Sequence, residues 1–207
     1  MFSKFQSLKP EKQDRILNAA IKEFAKKGYK NAATDEIVKG ASISKGALFH
    51  YFNNKRELYL FLYEYSLEIV MNEFFGKIDL QEKDILKRLR QVLLIEFMLV
   101  NKHPDLLDFI KSANFESSDE VKNDLECKNE VYLTSGYSKV LSNFDSSMFK
   151  EGTDIKRAVN VIVWTMEGIA SQKKEEIKES PITNLNFDEI LSEIDIYFKL
   201  LKDCFYK

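Results

Sequence analysis

Apolar residues recur every three or four positions along most of this 207-residue chain, which puts them on one face of successive helices. Ile16, Leu17, Ala20, Ile21 and Phe24 form the first stripe. Their helix is expected to start near Pro10, a residue suited to a first turn, and to end at Gly28. Two short helices follow, one from Thr34 to about Gly40 and one capped by Ser44 that carries Lys45 through Tyr51. The Thr34 hydroxyl is expected to cap the first of them. From about Lys55 to Phe75, the stripe Leu58, Phe61, Leu62, Tyr65, Ile69 and Phe74 predicts a helix about 30 Å long at ~1.5 Å per residue. Further helices are predicted from about Glu82 to Asn101, from Pro104 to Ala113, and from Asp119 to about Asn143 behind a Ser117-Ser118 cap. Thr153 or Asp154 opens another that runs to about Lys178. Pro181 breaks it, and Asn186 with Glu189 resembles a capping box for a last helix reaching Phe205.

Chemistry concentrates between Thr34 and Lys55. Ile37, Ala41, Ile43, Leu48 and Phe52 are spaced to face inward, so the two short helices share a small core. Lys45, Gly46, Phe49 and His50 then fall on the opposite face. Two short helices, a tight turn and a basic, aromatic outer face describe a helix-turn-helix DNA reader. The charge distribution agrees. Residues 1–56 hold 12 Lys+Arg against 5 Asp+Glu (+7), and the remainder holds 19 against 28 (−9), which together make the net −2. A basic head on an acidic body suits polyanion binding by the head alone. Lys4 and Lys9 precede the first long helix as a loose basic arm or a disordered terminus.

Composition narrows the remaining classes. Seven glycines and three prolines, with 44% apolar and 31% charged residues, favour an ordered helical protein over disorder. No apolar run approaches the ~18 residues of a membrane span, and the start of the chain does not read as a secretory signal, so a cytoplasmic protein is expected. Cys127 and Cys204 lack metal or redox spacing and are expected to be reduced thiols. No phosphate loop, nucleophile elbow or metal-ligand cluster is legible, so neither an enzyme, a cofactor nor a metal is expected.

The run Thr34, Ile37, Ala41, Ser44, Gly46, Leu48, His50, Tyr51, Phe52, Lys55 and Leu58, extended back through Ile16–Thr34, resembles the N-terminal domain of the TetR family of bacterial transcriptional regulators. The resemblance covers roughly the first 60 residues. Phe49 stands where the family usually has tyrosine, and Ser42 replaces the common turn glycine. The fold it implies is all-α, with an N-terminal three-helix helix-turn-helix DNA-binding domain (1–55) joined to a larger C-terminal helical ligand-binding and dimerisation domain (56–207). Ser44, Lys45, Gly46, Phe49 and His50 are assigned to the groove face, and Thr34, Tyr51 and Lys55 to backbone phosphates.

What the resemblance implies beyond the head concerns partners. A homodimer is expected to bind a palindromic double-stranded operator and to be released by a small apolar or amphipathic inducer, its identity unknown. The last two helices would form the dimer interface through Ile162, Met166, Ile169, Ile190, Ile194, Phe198 and Leu201, with Gly168 and Ala170 permitting close approach. Phe61, Tyr65, Phe97, Met98, Phe109, Tyr137 and Trp164 are candidate pocket residues, as large or adaptable apolar side chains in the body. A helical interaction module, and a DNA-binding protein that needs no ligand, are the alternatives.

Overall fold

The structure is a computed structural model. It describes the backbone of residues 2–179 and 187–207, and their side chains except 130–135, 137, 170, 173–179, 187–188 and 190. The break expected at Pro181 and the cap at Asn186 lie outside the described residues, as do the side chains of Tyr137 and Ile190. The described elements are helical apart from one isolated bridge, Phe149 with Tyr206. They fall into two compact units, Met1–Phe75 with Lys102–Gly136, and Gly76–Asn101 with Tyr137–Lys207.

The first unit holds α1 (Ser3–Gln6), α2 (Pro10–Asn31), α3 (Thr34–Ala41), α4 (Lys45–Phe52), α5 (Lys55–Phe75), α7 (Pro104–Asn114) and most of α8 (Lys122–Val140). The predicted stripe on α2 is buried at Ile16, Leu17, Ala20, Ile21 and Phe24, and α2 packs along both α3 and α7. Phe24 meets Tyr59 of α5 edge-on at 4.8 Å and Phe109 of α7 at 6.2 Å. Gly28 takes φ +67°, which kinks α2 and leaves Tyr29 to Asn31 as a last turn beyond it. Gly40 does not end α3. It sits inside the helix, where an added Cβ would lie 3.1 Å from that of Ala19, so its role is close packing of α3 on α2.

The N-terminus differs from the expected loose arm. Phe5 is 2% exposed, and α1 packs against α4 with Phe5 and Phe2 at 4.8 and 5.5 Å from Phe52. Gln13 holds the joint after α1, donating to the carbonyls of Gln6 and Leu8. The Ser117-Ser118 cap also resolves differently. Both main-chain N–H groups donate to Glu116 Oε1, and α8 begins at Lys122.

The second unit holds α6 (Ile85–Lys102, bar its last residue), the end of α8, a 3-10 turn at Ser146–Met148, α9 (Ile155–Glu179) and α10 (Phe187–Phe205). Asp84 caps α6 through the N–H of Leu86 at 3.0 Å, so the helix starts later than predicted. Arg88 is fully buried, its guanidinium donating to the carbonyls of Glu82, Val140 and Ser142. Val140 is the last residue of α8 and Ser142 lies two beyond it, so the guanidinium sits at the negative dipole end of that helix, which suits a cation. Tyr206 donates to Asp84 Oδ1 at 2.9 Å and ties the end of α10 to the start of α6.

Candidate nucleic-acid interface

Three local devices position the outer face of α4. Leu48 and Phe52 are fully buried and fix the roll of the helix against Ile37 and Ala41 of α3. Ser44 caps α4, its Oγ accepting the N–H of Ala47 at 3.1 Å. Ser42 makes the turn by adopting φ 54° and ψ 50°, so that its N–H reaches the Lys39 carbonyl and that of Ile43 reaches Val38. This left-handed geometry, which favours glycine, is held here by a serine at a cost of about 1 kcal/mol.

Ser44, Lys45, Gly46 and His50 are exposed, and Phe49 is half-buried. A Cβ added at Gly46 would meet nothing within 4 Å, so the helix backbone there is open to a flat or grooved partner. Lys45 pairs with Asp35 of α3 at 2.9 Å, and both side chains are more than half exposed. Such a pair is weak and gives way readily to a stronger partner. His50 stands edge-on to Tyr51 with ring centroids 5.9 Å apart.

The three residues assigned to phosphates are placed differently from one another. Thr34 is half-buried at the first position of α3, and the residue before it, Ala33, is the N-cap, with no side-chain cap. The expected Thr34 cap is therefore absent. Glu23 instead takes up the Ala33 N–H at 2.9 Å. Tyr51 is half-buried and its hydroxyl accepts from Lys12 Nζ at 3.2 Å. Lys55 turns back on the head, donating to the Lys30 carbonyl at 3.3 Å and lying 4.9 Å above the Tyr29 ring. Burial lowers its pKa, against the pull of Glu120 and Glu116. Lys12 had no signal in the helix-turn-helix spacing. It lies 39 residues from Tyr51 and only the packing of α2 on the head brings it there.

Residues named for the body fall in both units. In the first, Phe61 packs with Phe2, Phe5 and Phe52 and stacks on Tyr65, while Phe109 is fully buried against Phe24 and Tyr59. These are core contacts. In the second, Phe97 is buried, and Met98 and Trp164 are 48% and 65% exposed. Ile162, Met166, Ile169, Ile194, Phe198 and Leu201 are buried within the single chain. Among the described residues of α9 and α10, the large apolar side chains left exposed are Val161, Trp164, Ile196, Tyr197 and Leu200. Two clefts occur in the first unit, the larger about 840 Å³ and lined by Tyr29, Lys55, Arg56, Glu120 and their neighbours. Of the named pocket residues whose side chains are described, Phe61, Tyr65, Phe97, Met98, Phe109 and Trp164, none lines either.

Residues 16–61, which include all of α3 and α4, match the family model described as bacterial regulatory proteins, tetR family. Residues 16–61 of this chain are thus a TetR-family DNA-binding domain. Among curated TetR-like relatives, an uncharacterized HTH-type transcriptional regulator of Bacillus subtilis (strain 168), YerO, is 31% identical over 105 residues, 50% of this chain and 36% of that protein. The match thus spans little more than a third of that relative's length. The fatty acid metabolism regulator protein of the same organism is 25% identical over 168 residues, covering 77% of this chain and 81% of that protein. Among solved structures, a TetR family regulator from Chloroflexus aurantiacus superposes with a TM-score of 0.69 at 18% identity, covering 99% and 98% of the two chains. FadR from Bacillus subtilis, in complex with stearoyl-CoA, superposes with a TM-score of 0.57 at 19% identity, over 91% and 96%. These superpositions show that the TetR fold extends over both units of this chain.

Proposed function

We propose that this chain is a cytoplasmic, sequence-specific DNA-binding regulator that acts as a homodimeric repressor, with residues 1–55 as the reading head. The observation that carries the reading is the outer face of α4, where Ser44, Lys45, Gly46 and His50 are exposed around an open backbone at Gly46. A helix docked in a major groove needs such a face, with bases read by Lys45 and His50 and phosphates bound beside them. Dimerisation is proposed to use the exposed apolar residues of α9 and α10, Val161, Trp164, Ile196, Tyr197 and Leu200. A second copy burying them would present two reading helices to successive major grooves, about 34–36 Å apart or slightly more.

Release by a small amphipathic ligand is part of the same proposal. The fatty acid metabolism regulator aligns with 77% of this chain, well beyond the head, and the FadR structure holds stearoyl-CoA. Long-chain acyl-CoA is therefore the first ligand to test. The experiment is selection of bound sites from a randomised duplex pool, followed by titration of stearoyl-CoA into the selected complex. Enrichment of one palindrome, and its release by the acyl-CoA, support the whole proposal. A palindrome that no acyl-CoA releases leaves a DNA-binding regulator without this inducer, a reading that the tight burial of Phe109 favours. No enrichment at all defeats the reading and leaves a helical interaction module.

A further inference from the structure

We propose that Lys12 and Tyr51 together hold one DNA backbone phosphate, with α1 serving to fix Lys12 beside the reading helix. This rests on the DNA-binding reading above and adds a contact from outside the helix-turn-helix.

The pair bridges α2 and α4. Lys12 Nζ donates to Tyr51 Oη at 3.2 Å and lies 5.6 Å from the centroid of the Tyr51 ring. Because the phenol oxygen accepts from the ammonium, its own proton points away from Lys12. Among the described residues no protein group accepts that proton. The ammonium has three donors and spends one on Tyr51. The pair therefore offers adjacent O–H and N–H donors, with a full positive charge, to an acceptor outside the protein. A phosphate oxygen has the charge and the acceptor capacity to take both.

Both side chains are half-buried, so the ammonium is accessible yet restrained by the ring beneath it. The rest of the N-terminus holds α2 in place. Phe2 and Phe5 pack on Phe52, the residue after Tyr51, and Gln13 locks the joint between α1 and α2 one residue after Lys12. A bare surface lysine would have to be ordered by the DNA, whereas this one is already placed.

The salt dependence of binding to a mixed-sequence duplex tests the proposal. Each phosphate contact contributes about 0.9 to the slope of log K against log salt. Lys12→Gln should flatten the slope by that amount and weaken binding about eightfold at ~0.1 M salt, whatever the sequence. Lys12→Arg should restore it. Tyr51→Phe, which keeps the ring, should weaken binding in the wild-type background and add nothing to Lys12→Gln, because the two groups share one phosphate. Lys22→Gln is the control, since Lys22 pairs with Asp105 on α7. An unchanged slope in Lys12→Gln overturns the proposal while leaving the DNA-binding reading standing. Additive losses in the double variant overturn the shared phosphate. A wild-type protein that binds no duplex overturns the underlying reading and this inference with it.

Discussion

The main-chain N–H of Tyr29 donates to Glu116 Oε2 at 2.7 Å, across 87 residues of sequence. That one carboxylate also takes the N–H groups of Ser117 and Ser118, so it closes both the kink after Gly28 and the corner between α7 and α8. Around it Tyr29 Oη donates to Glu120 at 2.5 Å, and Arg56 reaches the Glu120 carbonyl and pairs with Asp124 at 2.6 Å. Burial, and then the bond to Glu120, push the Tyr29 phenol up to about 12. Glu116→Ala should therefore destabilise the protein by about 1–3 kcal/mol, as three N–H groups lose one acceptor. Urea unfolding followed by circular dichroism measures it, and a change below 0.5 kcal/mol (roughly the noise of surface substitutions) would show that the carboxylate is incidental.

Gly28→Ala should cost at least about 1 kcal/mol for a second reason. The position has φ +67°, and a Cβ there would approach Glu116 Oε2 to 3.1 Å. Ser42→Gly should act in the opposite direction. Relief of the left-handed strain, less the added freedom of the unfolded chain, leaves a gain of about 0.5 kcal/mol. Thermal midpoints of the two variants measured side by side should move apart.

The pair Arg90 and Asp195 links α6 to α10 through two bonds of 2.5 and 2.8 Å. The Arg90 guanidinium holds the Asp195 carboxyl below its ordinary value, despite some opposing desolvation. A depressed carboxylate contributes stability above its unfolded pKa of about 3.9, and that contribution is lost as pH falls through the folded value. Both side chains are more than a third exposed, so the contribution is below about 1 kcal/mol. Asp195→Asn should lower the urea midpoint at pH 6 and converge with the wild type near pH 2. A constant offset at both pH values contradicts the assignment.

Trp164→Glu should dissociate the proposed dimer without unfolding the chain, since Trp164 is 65% exposed in the single chain. Sedimentation equilibrium should report a monomer for the variant and a dimer for the wild type. A variant that stays dimeric places the interface elsewhere.

Much of this was legible in the sequence because helical spacing and turn chemistry are local. Ser44 as a cap, the burial of Leu48 and Phe52, and the span Lys55–Phe75 all follow from neighbours within a few residues. What escaped was set by distant contacts. Gly40 reads as a helix end, but Ala19 makes it a packing site. Thr34 reads as a cap, but Glu23 supplies the acceptor from the preceding helix. The wide apolar bands of α9 and α10 give no sign of which side faces inward. Ile162 and Ile194 turn in, while Trp164 and Ile196 turn out. Lys12 illustrates the limit for function, since its partner Tyr51 is near only after α2 has packed on the head.

The claim that the outer face of α4 reads DNA is tested most directly at Gly46. Nothing lies within 4 Å of a Cβ built there, so Gly46→Leu leaves the packing of the head intact and improves helix propensity by about 0.5–1 kcal/mol. The account predicts an unchanged or higher thermal midpoint, together with a loss of affinity for the selected duplex of more than about tenfold, or ~1.4 kcal/mol. A Gly46→Leu protein that binds the duplex as tightly as the wild type contradicts the account, because the open backbone of α4 would then not face the groove.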